Sequence, residues 1–323
     1  MNGRRALCAL LLACLAVPEA FAQAWPSKPI KLVVPFSAGG STDVVARIIS
    51  ERLSPRLGQP VIVDNRVGAG GSVGSDLVAK SPADGYTLLV GTSSTLAIAP
   101  HLYSKLPYNP LRDLTPVILV GTADIMVVVN PARVPARSVT ELIAYAKANP
   151  GRVTFASGGN GSISHLLGEY FKSMAKVDMV HVPYKGDAQM VTDVIGGQVD
   201  IAFGTAVAFL SHLKSGKLVG LAVTNPKRST SLPELPTVSE AGVPGYEAVQ
   251  WFGIAAPQGT PGPVIQKLNT EIRGILSQPD VKSRFAELGL DVVGNSAEEF
   301  GLFIRAEDRK WKTIANAAGA KLD

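Results

Sequence analysis

Apolar residues along this chain fall into two alternating patterns. Short continuous runs such as "KLVVP" at 31–35 are typical of buried strands, and the segment after each run repeats its apolar residues at helical spacing. After "KLVVP", one helical face would carry Val44, Val45, Ile48, Ile49 and Leu53. "PVIVD", a helix near 73–79 and "YTLLVGT" continue the order. The pattern predicts a parallel sheet whose connecting loops open together at one edge.

The same order of elements begins again after "DIMVVVNP" at 124–131. Strand-like runs occur in "RVTFAS", "MVHVP", "VDIAFGT" and "LVGLAVT", with helical patterns between them. A further strand is predicted near 248–256, and helical patterns at 264–276, from 280, and at 297–317 would cover the first sheet. We therefore predict an α/β chain with two hinged lobes, the first made of 23–122 and 249–323 and the second of 123–248.

The N-terminal residues have the pattern of an export signal. Two arginines precede an apolar run from Ala6 to Val17, and "AFA" at 20–22 is a cleavage pattern of small residues. We expect a signal peptide at 1–22 and a periplasmic protein. "LLAC" loosely resembles a lipoprotein cleavage site, but the residues after Cys14 stay apolar, which argues against a lipid anchor.

Composition and charge narrow the class of protein. The chain is 46% hydrophobic and 18% charged, which is typical of a globular protein with a large core. Its formal net charge of +5 comes from scattered lysines and arginines without a basic block, so we expect no nucleic-acid partner. Both cysteines, Cys8 and Cys14, lie in the signal, and the exported chain would fold without disulfides.

Two glycine-rich loops occupy equivalent places in the two lobes. "SAGGS" at 37–41 and "SGGNGS" at 157–162 each follow a strand and lead into a helix. A helix start offers unpaired N–H groups and a positive dipole end, so it is a site for anions. Glycine also serves tight strand-to-helix turns, and for a single loop that explanation would suffice. A pair of such loops predicts that an anion binds between the lobes.

Motifs for catalysis, metals and cofactors are weak. "GTSST" at 91–95 lacks the last glycine of a G-x-S-x-G nucleophile elbow, and the histidines are dispersed. His165 and Glu169 have i, i+4 spacing, but a pair without a third ligand is a weak sign of a metal site. Asp187 has the position of a charge in a helix N-terminal turn. "GAGGSVG" at 68–74 approaches a dinucleotide-binding motif, with Asp64 where a ribose needs an acid, so a dinucleotide enzyme remains an alternative. We expect no catalysis, no metal and no cofactor.

Several sequence blocks follow one another over nearly the whole chain, from Trp25 to about Ala318: "WPSKPIKLVVPFSAGGSTDVVAR", "NRVGAGGSVG", "DGYTLLVGT", "FASGGNGSISHLLGEYF", "VPYKG" and "SLPELPTVSEAG". In this order they resemble the Bug family, the TctC-type extracytoplasmic solute receptors of tripartite tricarboxylate transporters. The resemblance implies a Venus-flytrap fold in which each lobe is a mostly parallel sheet flanked by helices. It also implies capture of a small carboxylate for a permease with one large and one small membrane subunit. We further expect a monomer; a receptor that reports its ligand to a signalling partner is the alternative.

The resemblance places the ligand against backbone groups from both lobes. In the first lobe it points to Phe36, Ser37, Ala38, Gly39, Gly40, Ser41 and Asp43, with Gly70, Gly71, Ser72, Thr92 and Ser93 nearby. In the second lobe it points to Ser157, Gly158, Gly159, Asn160, Gly161, Ser162, Tyr184, Gly204 and Thr205. N–H groups and short hydroxyls can hold a carboxylate without a cationic side chain.

Gly204 departs from the family pattern in a way that bears on the ligand. Many members carry a polar or acidic residue there, whereas this chain has a glycine, which has no side chain. A desolvated ammonium group usually needs a carboxylate or several acceptors. The departure therefore predicts a mono- or dicarboxylate without an amino group.

Overall fold

The structure is a computed structural model that describes residues 25–229 and 231–322. The predicted signal peptide at 1–22 and the weighed lipid-anchor position, Cys14, lie outside the described residues. None of the described helices combines the length and apolar character needed to cross a bilayer.

The described residues form strands and helices that alternate along most of the chain. The strands are β1 (Ile30–Val34), β2 (Val61–Asn65), β3 (Thr87–Thr92), β4 (Leu114–Ala123), β5 (Ile125–Val129), β6 (Val153–Ser157), β7 (Met179–Pro183), β8 (Ile201–Thr205), β9 (Val219–Val223), β10 (Gln250–Pro257) and β11 (Leu290–Val292). The helices are α1 (Ser41–Leu57), α2 (Ser72–Ala79), α3 (Ala99–Leu102), α4 (Pro110–Asp113), α5 (Val139–Ala148), α6 (Ile163–Ala175), α7 (Asp187–Ile195), α8 (Ala206–Lys214), α9 (Gly262–Leu276), α10 (Pro279–Glu287) and α11 (Ala297–Ala318). A short 3₁₀ turn occurs at Ala69–Gly71 and a π-helical turn at Ser94–Ile98.

The strands build two sheets, one in each lobe. The first has the order β11-β4-β10-β3-β1-β2 and the second the order β7-β6-β8-β5-β9. β1 pairs in parallel with β2 and β3, and β6 pairs in parallel with β7 and β8. β10 and β5, the first strands after each passage between lobes, run antiparallel to both of their neighbours. Most strands of each sheet therefore point one way, and the predicted two-lobed α/β fold is confirmed.

Burial explains why these segments take these forms. In β1, Leu32, Val33 and Val34 are all buried, as expected for a strand covered on both faces. In α1, Val45, Ile49 and Leu53 are buried at the predicted helical spacing, while the other two predicted face residues are half-buried. α1 ends at Leu57, because the left-handed backbone of the next residue, Gly58 (φ 67°), stops the helix.

The chain crosses between the lobes twice. β4 ends at Ala123 and β5 begins at Ile125, and the return passage precedes β10 at Gln250. We propose lobes of 23–122 with 249–323, and 123–248, on the basis of these crossings. The long helix α11 packs against β4 and the π-helical turn in the first lobe and also against α6 in the second.

Candidate functional site

Loops that follow the parallel strands of both sheets meet in the cleft between the lobes. In the first lobe, β1 leads into α1 and β3 leads into the π-helical turn. In the second, β6 leads into α6, β7 into α7, and β8 directly into α8. The N-termini of α1, α6, α7 and α8 all contribute to one cavity. Four positive dipole ends therefore face the same space.

This cavity has a volume of about 40 Å³ and is lined mainly by small or hydroxyl-bearing residues. The lining consists of Phe36, Gly40, Ser41, Thr42, Ser94, Ile125, Gly158, Ser162, Ile163, Ser164, Asp187, Gly204, Thr205 and Gln250. These lining residues of the described chain include one acid and no lysine, arginine or histidine. Helix N-termini and hydroxyls, rather than cationic side chains, are thus available to an anion here.

A second cavity, of about 230 Å³, adjoins the first along Phe36 and Gly158, which line both. Its other walls come from the end of β7 and from the loops after β1, β2, β6 and β7: Pro35, Gly68, Ala69, Gly70, Gly71, Gly159, Asn160, Pro183, Tyr184 and Lys185. Burial, together with the Asp193 carboxylate, raises the pKa of the Tyr184 phenol to about 12, so its hydroxyl is protonated and is a hydrogen-bond donor.

The two lobes are closed on each other. Among the described residues, five hydrogen bonds join their loops: Ser37 N to Lys185 O (3.3 Å), Ile163 N to Ser94 Oγ (2.9 Å), Tyr103 OH to Asn160 O (2.8 Å), and Ser41 Oγ (2.6 Å) and Ser41 N (3.4 Å) to Asp187 Oδ2. The backbones also approach directly, because a Cβ added at Gly70 would lie 2.2 Å from Asn160 O. Gly70 has a left-handed φ of 59° as well, so both its shape and its conformation favour glycine.

Two histidines make hydrogen bonds to the glycine-rich loop of the second lobe, residues 157–162. Ser157 Oγ lies 2.6 Å from His181 Nε2, and Gly161 N donates to His165 Nδ1 (3.3 Å). The two imidazole rings stack with their centroids 4.1 Å apart. Burial lowers the pKa of His181 to about 3 and also lowers the pKa of His165, so both rings are neutral. His165 therefore supports the loop, and among the described residues no cluster of three or more metal-binding side chains occurs.

Asp43 is committed to the first-lobe loop. Its Oδ2 accepts hydrogen bonds from Gly39 N (2.9 Å) and Arg47 Nε (2.8 Å), and its Oδ1 accepts one from Asn65 Nδ2 (3.0 Å). Burial acts to raise the pKa of Asp43, but these hydrogen bonds outweigh it and lower the pKa below its usual value. The carboxylate shapes the loop and does not line either cavity.

The predicted site residues divide into three groups. Those that line the first cavity are Phe36, Gly40, Ser41, Gly158, Ser162, Gly204 and Thr205. Those that line only the second are Gly70, Gly71, Gly159, Asn160 and Tyr184. The others line neither: Ser37, Ala38, Gly39, Asp43, Ser72, Thr92, Ser93, Ser157 and Gly161. Some of these contact a residue that lines the first cavity. Ser93 Oγ, for example, donates a hydrogen bond to the side chain of Gln250.

Comparison with known proteins identifies the family. A family model described as the tripartite tricarboxylate transporter family receptor, TctC, matches residues 45–320. The chain belongs to this family. Protein BugT of Bordetella pertussis is 42% identical over 302 residues, which cover 93% of this chain and 92% of BugT.

Solved structures agree with the family and the fold. Rpa4515 of R. palustris with adipate is 39% identical, with a TM-score of 0.89, over 92% of this chain and 100% of that one. MatC (Rpa3494) from Rhodopseudomonas palustris with bound malate is 32% identical, with a TM-score of 0.87, over 90% of this chain and 99% of that one.

In this TctC-family chain, sequence reasoning missed one acid and several neutral lining residues. Asp187 was assigned only a helix N-terminal charge, yet it lines the first cavity. The rule that identified the glycine loops would have found it, because Asp187 directly follows the loop after β7. The prediction of a ligand without an amino group assumed that no acidic side chain lines the site. Asp187 lines the first cavity, so this assumption does not hold.

Proposed function

We propose that the chain is a periplasmic solute-binding receptor that captures a small carboxylate between its lobes. One observation carries the proposal: the N-termini of four helices from two lobes converge on one cavity whose lining lacks cationic side chains within the described chain. The family description as a receptor, and relatives whose structures contain adipate or malate, support the same ligand class.

In this proposal the protein binds and releases its ligand without changing it. It acts as a monomer, needs no cofactor or metal, and delivers the ligand to the large and small membrane subunits of a tripartite tricarboxylate-type permease. Carboxylate oxygens accept from N–H groups and hydroxyls at the helix starts, and closure of the lobes removes water from these hydrogen bonds. Support for the permease as destination comes from the transporter family to which the chain belongs.

A thermal-shift screen of small carboxylates tests the binding function. At a ligand concentration of about 100 times Kd, the native state gains about 2.7 kcal/mol, which raises Tm by about 5 °C in a domain-sized protein. Neutral sugars at the same concentrations should give no shift. If no carboxylate raises Tm and mass spectrometry of gently purified protein finds a dinucleotide, the receptor proposal is wrong.

Gly40→Val tests whether the shift arises at the proposed site. The backbone at Gly40 (φ −78°) accepts any residue, but an added Cβ would lie 3.3 Å from Ser37 O and 3.7 Å from Asp187 N. We expect a folded variant with no carboxylate-induced shift. Gly262→Val is the matched control, because nothing lies within 4 Å of its added Cβ. A full shift in Gly40→Val would place the site elsewhere.

A further inference from the structure

Asp187 is the acid in the first cavity, and its bonding leaves part of the carboxylate available. It is the first residue of α7 in the second lobe, and its Oδ2 accepts from Ser41 Oγ (2.6 Å) and, more weakly, from Ser41 N (3.4 Å) in the first lobe. Its Oδ1 lies beside Gly158, where an added Cβ would be 3.6 Å away. Among the hydrogen bonds of the described residues, Oδ1 has no donor.

Thr205, beside Asp187, provides a second indication of a missing hydrogen-bond partner. It lines the same cavity, is 5% exposed, and its Oγ1 has no hydrogen-bond partner in the described structure. The hydroxyl is close enough to Asp187 to favour the ionised carboxylate, yet it makes no hydrogen bond of good geometry. A buried hydroxyl left in this state costs free energy that a ligand N–H would recover.

The negative charge of Asp187 determines which ligands can bind beside Asp187 and Thr205. Burial raises the pKa of Asp187, and no cationic side chain lines the cavity to offset this within the described chain. A ligand that carries only carboxylates would bring a second negative charge next to Asp187 or force it to take up a proton. A ligand with a cationic nitrogen beside its carboxylate would instead pair with Asp187, while its carboxylate meets the helix N-termini.

We propose that Asp187, together with Thr205, makes this site selective for zwitterionic amino-carboxylates over carboxylates of the same skeleton without the amino group. The inference rests on the proposed carboxylate-binding function and reverses the ligand class predicted from Gly204. The acid missing after β8 is replaced by one that enters the cavity from the start of α7.

Calorimetry with matched pairs tests the selectivity: aspartate against succinate, glutamate against glutarate, and alanine against propionate. On the unaltered protein the amino member of the best-binding pair should bind about tenfold tighter or more, the effect of one charge-assisted hydrogen bond. Asp187→Asn keeps the shape and an acceptor for Ser41 but removes the charge, so it should abolish that preference mainly by weakening the amino member. Asp187→Ser should do the same.

Asp178→Asn is the charge-matched control, because Asp178 is exposed in the same lobe and lines neither cavity; it should keep the wild-type preference. Tighter binding of the member without the amino group to the wild type overturns the proposal. So does an Asp187→Asn variant, folded by circular dichroism, whose affinities for both members change by the same factor. If neither member of any pair binds, and no other carboxylate does, the proposed function itself fails and this inference with it.

Discussion

At the residue scale, the candidate site depends on neutral histidines as much as on glycines. Phe155, His181 and His165 form a continuous stack, with ring centroids 4.8 Å and 4.1 Å apart. His181 contacts Ser157 Oγ, and this hydroxyl also accepts from Gly159 N (3.2 Å). The stack therefore fixes the backbone of the loop that leads into α6. A charged imidazole in this position would be poorly solvated, which is why burial keeps both rings neutral.

The first prediction concerns the pH dependence of stability. The pKa of His181 is about 3 in the folded state against 6.5 when unfolded, so the unfolded state binds more protons between these values. Stability should therefore fall as pH drops below 6.5, by about 1–2 kcal/mol for His181 between pH 7 and pH 5. Urea denaturation of His181→Asn should show a smaller loss over this range. The wild type, measured in parallel, is the reference, and an equal loss in His181→Asn and the wild type would contradict the prediction.

Site residues that lie in a loop between a strand and a helix could be predicted from the sequence. The glycine loops follow strands and precede helices, so Gly40, Gly158 and Ser162 were found from short-range pattern alone. Ile125 and Gln250 could not be found this way, because they reach the cavity on β5 and β10, the strands that follow the two crossings. Their place depends on how the lobes meet, which no local pattern encodes.

At the scale of the element, α11 joins parts of the chain that are far apart in sequence. Its Trp311 and the Trp251 of β10 are both buried, and both indole N–H groups donate to Glu307 Oε2, at 2.8 and 2.9 Å. Helix periodicity predicted α11 at 297–317, close to its observed bounds. The antiparallel insertion of β10 between β3 and β4 was not predicted, because pairing direction is set by the route of the returning chain.

Removal of the shared acceptor should destabilise this junction. Glu307→Ala leaves two buried N–H donors without a partner, at about 1–3 kcal/mol each, so we expect a loss of about 2–5 kcal/mol in the free energy of unfolding. Glu307→Gln keeps an acceptor oxygen and should lose less. Glu287→Ala is the control, since Glu287 is exposed and, among the described residues, forms a salt bridge with Arg284 alone; it should change stability by less than about 1 kcal/mol. A Glu307→Ala loss no larger than this would show that the indoles find other acceptors.

At the scale of the whole molecule, the proposed function requires that the lobes separate and close again. The closed arrangement brings the backbone at Gly70 against Asn160 and lets Tyr103 OH reach the same carbonyl. Apart from the one from Tyr103, the cross-lobe hydrogen bonds come from short side chains or backbone groups, so closure depends on close approach. A methyl group added where the two loops touch should therefore prevent closure without unfolding either lobe.

Gly70→Ala tests this requirement directly. Its Cβ would lie 2.2 Å from Asn160 O and 2.9 Å from Gly161 C, both backbone atoms of the other lobe, so the closed arrangement must open to admit it. We expect a larger radius of gyration by small-angle scattering at saturating carboxylate, and weaker binding by about tenfold or more. Gly58→Ala is matched in backbone strain, with φ 67° against 59°, but nothing lies within 4 Å of its Cβ. It should close and bind as the wild type does; if Gly70→Ala also does so, direct contact of the two loops is not needed for closure.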